Sequence, residues 1–146
     1  MERVTTDPSE LFDSFDDEVV RATMQALDAA IVAALPGRCR VLWEGVFWGG
    51  TEQRIIGYGD IVQPRPKGRE VEWFLVGLAR QQRGYSVYLN AVEDGAYLGQ
   101  RYADRLGRVK IGAASIGFTR LDALDLEVFA EMLRRADELT PPDPAP

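Results

Sequence analysis

The 146 residues suffice for one ordinary domain, and an apolar content of 46% lets such a chain build a core without metal or disulfide support. Seventeen basic against 23 acidic residues leave a net charge of −6, so the excess of positive charge that phosphate neutralisation requires is missing and no nucleic acid is expected as partner. Histidine is absent, which removes Ser-His-Asp and Cys-His catalysis and zinc sites of the usual Cys/His kind.

In chain order, residues 1–15 read as a flexible acidic arm. Ser14 or Asp16 can cap a helix running to about Leu35, where Val20, Met24, Leu27, Ile31 and Leu35 mark one apolar stripe. Pro36 and Gly37 stop it. Four segments with strand character follow, at 39–48, 54–62, 70–79 and 85–91, rich in Val, Ile, Trp, Tyr and Phe. Their connectors are too short for helical crossovers, which predicts an antiparallel meander. In the last of them Tyr85, Val87, Leu89 and Ala91 share one face, and Ser86, Tyr88 and Asn90 the other.

Asp94 or Gly95 opens a short helix to Leu106, with Leu98, Tyr102 and Leu106 on one side. The stretch 109–118 is ambiguous, with strand character at 116–118. Asp122 or Asp125 starts a final helix with the stripe Leu126, Phe129, Leu133 and Ala136. Residues 140–146 read as a disordered, proline-rich tail. The pattern predicts one α+β domain over 16–139, two layers deep, with an antiparallel meander of about five strands and the N- and C-terminal helices on one face.

Cys39 is the only cysteine, so no internal disulfide can form. The first residues lack the apolar core of a signal peptide, and no apolar run approaches the length of a membrane-spanning helix. A cytoplasmic protein with no membrane partner is the expectation.

Trp43, Trp48, Tyr58, Trp73, Tyr85 and Tyr88 all fall in the strand region. Trp and Tyr join large contact area to a polar handle, which suits a ligand-binding face; core packing is the competing reading. Tyr88 stands out because Ser86 and Asn90 flank it on its face. Ligand contact is therefore expected from Trp43, Trp48, Tyr58, Tyr88 and Asn90. Gly57 and Gly59 leave a bare patch that a helix, a ring or a ligand can approach, and a packed helix is the expected occupant.

Glu44, Asp60 and Glu72 are strand carboxylates that could act as a general base if buried, or simply face water. Arg101, Arg105 and Lys110, with Arg108, form a basic cluster that could hold an anion, although cations also suit a helix C-terminus. Asp13, Asp16 and Asp17 could offer carboxylates to a hard cation, although acids at a helix N-terminus need no metal to explain them, and no metal site is assigned. Cys39 sits between Arg38 and Arg40, which would favour its thiolate, or is a small buried hydrophobe.

The order of segments carries a resemblance. A leading helix, Leu42-Trp43-Glu44-Gly45-Val46-Phe47-Trp48, Tyr58-Gly59-Asp60, Trp73-Phe74-Leu75-Val76-Gly77-Leu78-Ala79, Tyr85-Ser86-Val87-Tyr88-Leu89-Asn90, Leu106-Gly107-Arg108-Val109-Lys110-Ile111-Gly112 and a final helix together resemble the YdhG-like family, domain of unknown function 1801, over about residues 17–138. The resemblance implies an α+β fold with helices on one side of a curved antiparallel sheet. It also implies two functional classes, since most members have no assigned activity and some are described as frataxin-like iron chaperones for iron–sulfur or haem assembly. Of the acidic helix residues used in frataxin-type iron binding, only Asp13, Asp16, Asp17 and Glu18 have counterparts here, and no histidine accompanies them.

The leading functional expectation is a non-enzymatic module that receives a small molecule or a protein segment on an aromatic sheet face. It needs no cofactor and is compatible with a homodimer. The alternatives are iron binding through the acidic helix start, and an enzyme with a strand carboxylate as general base.

Overall fold

The computed structural model describes residues 1–47, 51–65 and 68–144. The long helix α2, Glu18–Ala34, begins where Asp17 turns its carboxylate back to accept from the N–H groups of Val19 and Val20. Such a cap contributes about 1 kcal/mol by satisfying otherwise orphaned donors. Its predicted stripe is real: Met24, Leu27 and Ile31 are fully buried, and Val20 packs at the margin. Helix α4, Leu126–Leu139, is capped the same way by Asp125 and buries Phe129, Met132, Leu133 and Ala136. Leu126, predicted as part of that stripe, is 40% exposed because it occupies the first turn, and Met132 joins the buried face instead.

Both helices pack on one face of an antiparallel sheet. In chain order its strands are β1 (Glu2–Val4), β2 (Arg40–Phe47), β3 (Thr51–Arg65), β4 (Arg69–Arg80), β5 (Tyr85–Leu89), β8 (Lys110–Ile111) and β9 (Ser115–Phe118). Their order across the sheet is β1-β2-β3-β4-β5-β9-β8, so the predicted meander β2 to β5 forms its centre. A small hairpin, β6 (Val92–Glu93) and β7 (Ala96–Tyr97), leads into the short helix α3 (Leu98–Arg101). The helix expected over 94–106 is thus a hairpin, one α-helical turn and a 3-10 turn at Ala103–Arg105; Asp94 and Gly95, both at positive φ, favour the tight turn over a helix start.

The arm expected over 1–15 carries structure. β1 pairs with β2 in the register Arg3 to Trp43, and the one-turn helix α1 (Glu10–Asp13) buries Leu11 and Phe12 in the main core. Those two apolar side chains, set among acids, are what the charge pattern concealed.

Strand β3 is almost twice as long as β2, and with β4 it bends in the middle. Gly59 takes φ +81°, and opposite it Leu75 and Val76, adjacent in sequence, both enter the helix-side core. Phe74 then faces the opposite way. The two-residue alternation of β4 slips by one there, and Asn90 stitches the bend by donating from its backbone to Leu75 O and from its side chain to Phe74 O, each at 2.9 Å.

Candidate functional site

On the side of the sheet away from the helices, side chains of three central strands form a second, smaller core. Trp43 of β2, Ile55 of β3, and Phe74 and Ala79 of β4 are buried there, with Met1, Val41, Trp73 and Tyr88 packed around them. Local chemistry explains how a face that no described helix covers buries a tryptophan. Gly57 and Gly77 are direct cross-strand partners, and neither carries a side chain. A β-carbon at Gly57 would lie 2.6 Å from the indole Nε1 of Trp43, and one at Gly77 would lie 2.5 Å from the ring of Phe74. The occupant of the bare patch at Gly57 is therefore a pair of rings rather than the expected helix. Gly59, on the far side of the bend, instead approaches Leu75 and Arg38.

The rings meet edge to face and stacked. Trp73 stacks on Phe74 with centroids 4.5 Å apart, and Trp43 meets Trp73 at 5.4 Å and Phe74 at 5.7 Å, both edge-on. The Arg3 guanidinium stands over Trp43, 5.1 Å from the ring centroid, as the register of β1 requires. Trp73 and Tyr88 remain half-buried at the surface of this cluster. The Tyr88 hydroxyl accepts from Gln81 Nε2 at 3.0 Å; burial pushes its pKa up, against the lowering effect of hydrogen bonds with Ser86 and Gln81.

The expected ligand residues separate in this geometry. Trp43 is on the helix-free face but only 4% exposed, so it is a floor under Trp73 rather than a contact surface. Tyr58 is corrected more fully. It alternates to the helix side, where it is 2% exposed and donates to Asp28 Oδ1 of α2 at 2.7 Å. Arg40 grips the same carboxylate with two bonds of 2.9 and 3.0 Å. Burial, then the Asp28 charge, pushes the Tyr58 phenol well above the ordinary range. Asn90 holds the β4 bend, Tyr88 is half-buried, and Trp48 lies outside the described residues.

Next to the aromatic cluster the surface deepens into a hollow of about 680 Å³, lined in part by Arg3, Arg38, Cys39, Asp60, Glu72 and Asp143. Arg3 links the two regions, since it stands over Trp43 and pairs with Asp60 at 2.8 Å. The β2–β3 ladder begins at Arg40, with one further bond from Gly59 N–H to Cys39 O at 2.9 Å, so the N–H groups of Cys39 and Asp60 are left outside that pairing. The segment after α4 fills the gap: Asp143 accepts from Cys39 N–H at 2.6 Å and from Asp60 N–H at 2.9 Å, and pairs with Arg38 at 3.2 Å. Burial raises the Asp143 pKa, but these three donors outweigh it and hold the carboxyl below its usual range. Within the tail expected to be disordered over 140–146, the described run 140–144 has no helix or strand but docks on this corner; the lone Asp among prolines was the only sequence sign of it.

Cys39 is half-buried, and its thiol is pushed up to about 12, first by burial and then by the Asp60 and Asp143 carboxylates. The two neighbouring arginines do not favour a thiolate, because Arg38 points to Asp137 and Asp143 while Arg40 turns to Asp28.

The remaining candidates are occupied by ordinary partners. Arg105 makes two bonds to Glu131, at 2.7 and 2.9 Å, and Arg101 faces Asp94 at 3.8 Å; Lys110 is exposed on β8. Glu44 is half-exposed beside Arg54 at 3.4 Å, while Asp60 and Glu72 both line the hollow, Asp60 paired with Arg3 at 2.8 Å and Glu72 exposed. Asp13 and Asp16 are exposed, and Asp17 is the α2 cap. Among the described residues, Cys39, Asp60 and Asp143 bring donor atoms within 4.8 Å of one another. They do not fit an iron ion well: the thiol holds its proton, and Arg3 and Arg38 already supply positive charge to the two carboxylates.

No helix among the described residues is long and apolar enough to cross a membrane. A scan against protein-family models finds no match, and searches of curated proteins and of solved structures find no significant relative.

Proposed function

We propose that this chain is a non-enzymatic binding module whose helix-free sheet face, centred on Trp73 and Tyr88, receives a flat apolar group. That group is a ring of a small molecule or an aromatic side chain of a protein segment. The observation that carries the reading is the stacked Trp73–Phe74 pair with Trp43 beneath it, on a face that no described helix covers. Rings anchored by a buried floor lose little conformational freedom on binding, which favours recognition over mere exposure. The rim supplies polar groups for orientation: Arg3, Glu72 and the Tyr88 hydroxyl. The absence of histidine and the pairing of Asp60 with Arg3 leave acid–base catalysis without a prepared base, which supports binding over turnover. The single reduced cysteine suits a cytoplasmic setting.

The probe is 8-anilinonaphthalene-1-sulfonate, followed by energy transfer from tryptophan. Saturable binding is expected for the native chain, and binding at least tenfold weaker for Trp73→Ala and Tyr88→Ala with the unfolding midpoint retained. Equal dye binding by the native chain and both folded variants defeats the proposal.

A further inference from the structure

Beyond the aromatic face, the corner where β2 begins carries a second site. The N–H groups of Cys39 and Asp60 converge on one carboxylate oxygen each, and Arg38, whose side chain is 7% exposed with the segment docked, supplies charge. Backbone donors joined to an arginine form a carboxylate cradle, because the N–H groups are fixed in place by the strands that carry them. In this structure the cradle holds Asp143 of the chain's own segment 140–144.

That segment is attached thinly. Three of its five residues, Pro141, Pro142 and Pro144, have no N–H to donate, and all three are exposed. Its main-chain anchors are the Thr140 N–H, which donates to Asp137 O at 3.2 Å, and two carbonyls that accept from Arg38, Thr140 O at 2.9 Å and Pro141 O at 2.6 Å. Beside it runs a groove of about 560 Å³, walled on one side by the segment's own prolines and elsewhere by Ile61, Val62, Val92 and Tyr97. Val62 and Val92 are each more than half exposed there, with apolar surface that the segment leaves uncovered.

We propose that this cradle and groove form a recognition site for an extended, proline-flanked acidic segment of a partner protein, and that residues 140–144 occupy it as a competing self-ligand. The partner's carboxylate takes the place of Asp143 on Cys39 N–H, Asp60 N–H and Arg38, and its prolines cover Val62 and Val92. The chemistry of the occupant is read from what the site already holds: an anion for the two N–H groups and the guanidinium, and a backbone that needs few hydrogen bonds of its own.

The test uses the full chain, its Asp143→Asn variant, and two blocked peptides, Thr-Pro-Pro-Asp-Pro and its Asn counterpart. Cys39, which lines the same hollow, reports occupancy through its alkylation rate. Asp143→Asn is expected to alkylate at least fivefold faster than the native chain. The Asp peptide, and not the Asn peptide, should restore the slow rate and bind the variant at least tenfold more tightly than the native chain. In the isotopically labelled native chain, excess Asp peptide should move the Asp143 amide signal toward its random-coil position, a measurement that stands even if the variant fails to fold. The proposal is overturned if the native Asp143 signal stays fixed at millimolar peptide. It is equally overturned if a folded variant binds the Asp and Asn peptides alike or binds neither; the corner is then an internal cap only.

Discussion

Tyr58 shows what one residue does when strand alternation turns it inward. Its hydroxyl, Asp28 and Arg40 tie α2 to β2 and β3 through a partly buried network in which each charge has a partner. Removing the centre takes two charge-assisted bonds from Arg40 and leaves it Ser9 and the more distant Asp7, so Asp28→Ala is expected to cost about 1–3 kcal/mol by urea unfolding. Tyr58→Phe leaves the ion pair intact and should cost only about 1 kcal/mol. The phenol's raised pKa means that its contribution is fully present below the ordinary tyrosine range and is lost as pH rises through the higher folded value. Absorbance at 295 nm should therefore show one of the five tyrosines ionising only as the protein unfolds; Tyr58→Phe should remove that late step. A smooth titration of all five near pH 10 would show that the network is open to water.

Cys39 and Asp143 titrate in opposite senses at one corner. With the thiol raised to about 12, its stabilising term holds below the ordinary thiol range and fades as pH climbs toward that value. Iodoacetamide should thus modify native Cys39 at pH 8 at least tenfold more slowly than in urea. A native rate equal to the unfolded one would mean that burial and the carboxylates do not act on the thiol. Asp143, held low, stabilises above the usual aspartate range and lets go only as pH falls through its lower folded value.

At the level of elements, the far-face core depends on the paired glycines of β3 and β4. A methyl at Gly57 would press on the Trp43 indole at 2.6 Å and on Phe74 Cβ at 2.9 Å, and the latter is fixed to the backbone. Gly57→Ala is expected to destabilise by about 1–3 kcal/mol and to shift tryptophan emission to the red. A neutral variant with unchanged emission would show that the rings do not rest on that glycine. Helix α4 depends on Phe129, fully buried in the main core; Phe129→Ala should cost about 3–5 kcal/mol, read from the urea midpoint.

The elements were legible where periodicity was strong. The α2 stripe, the β2 to β5 meander and α4 follow from spacing and turn residues alone. What spacing hid is explained by three particulars. The slip in β4 at Leu75 and Val76 breaks the two-residue rule, so the faces of Phe74 and Trp73 could not be read from Val76 and Leu78. Tyr58 and Trp43 are both aromatic strand residues, and only the register decides that one faces α2 and the other the opposite side. The cradle joins residues about a hundred positions apart, Cys39 and Asp143, which no local pattern connects.

At the scale of the molecule, the antiparallel sheet is covered by α2 and α4 on one face and by its own aromatic side chains on the other. The first arrangement gives stability through a continuous apolar core; the second leaves rings at a surface with a charged corner beside them. The proposed function is placed on the second because, among the described residues, it joins half-buried rings to polar groups at its rim. Amide and indole chemical-shift mapping of the isotopically labelled chain during titration with the naphthalene sulfonate probe tests that assignment most directly. The account predicts the largest shifts at the Trp73 and Trp43 indole N–H signals and at the amides around Tyr88 and Arg3, with α2 and α4 unmoved. Shifts concentrated on α2, α4 or the buried Tyr58 network, with the two indoles unchanged, would contradict it.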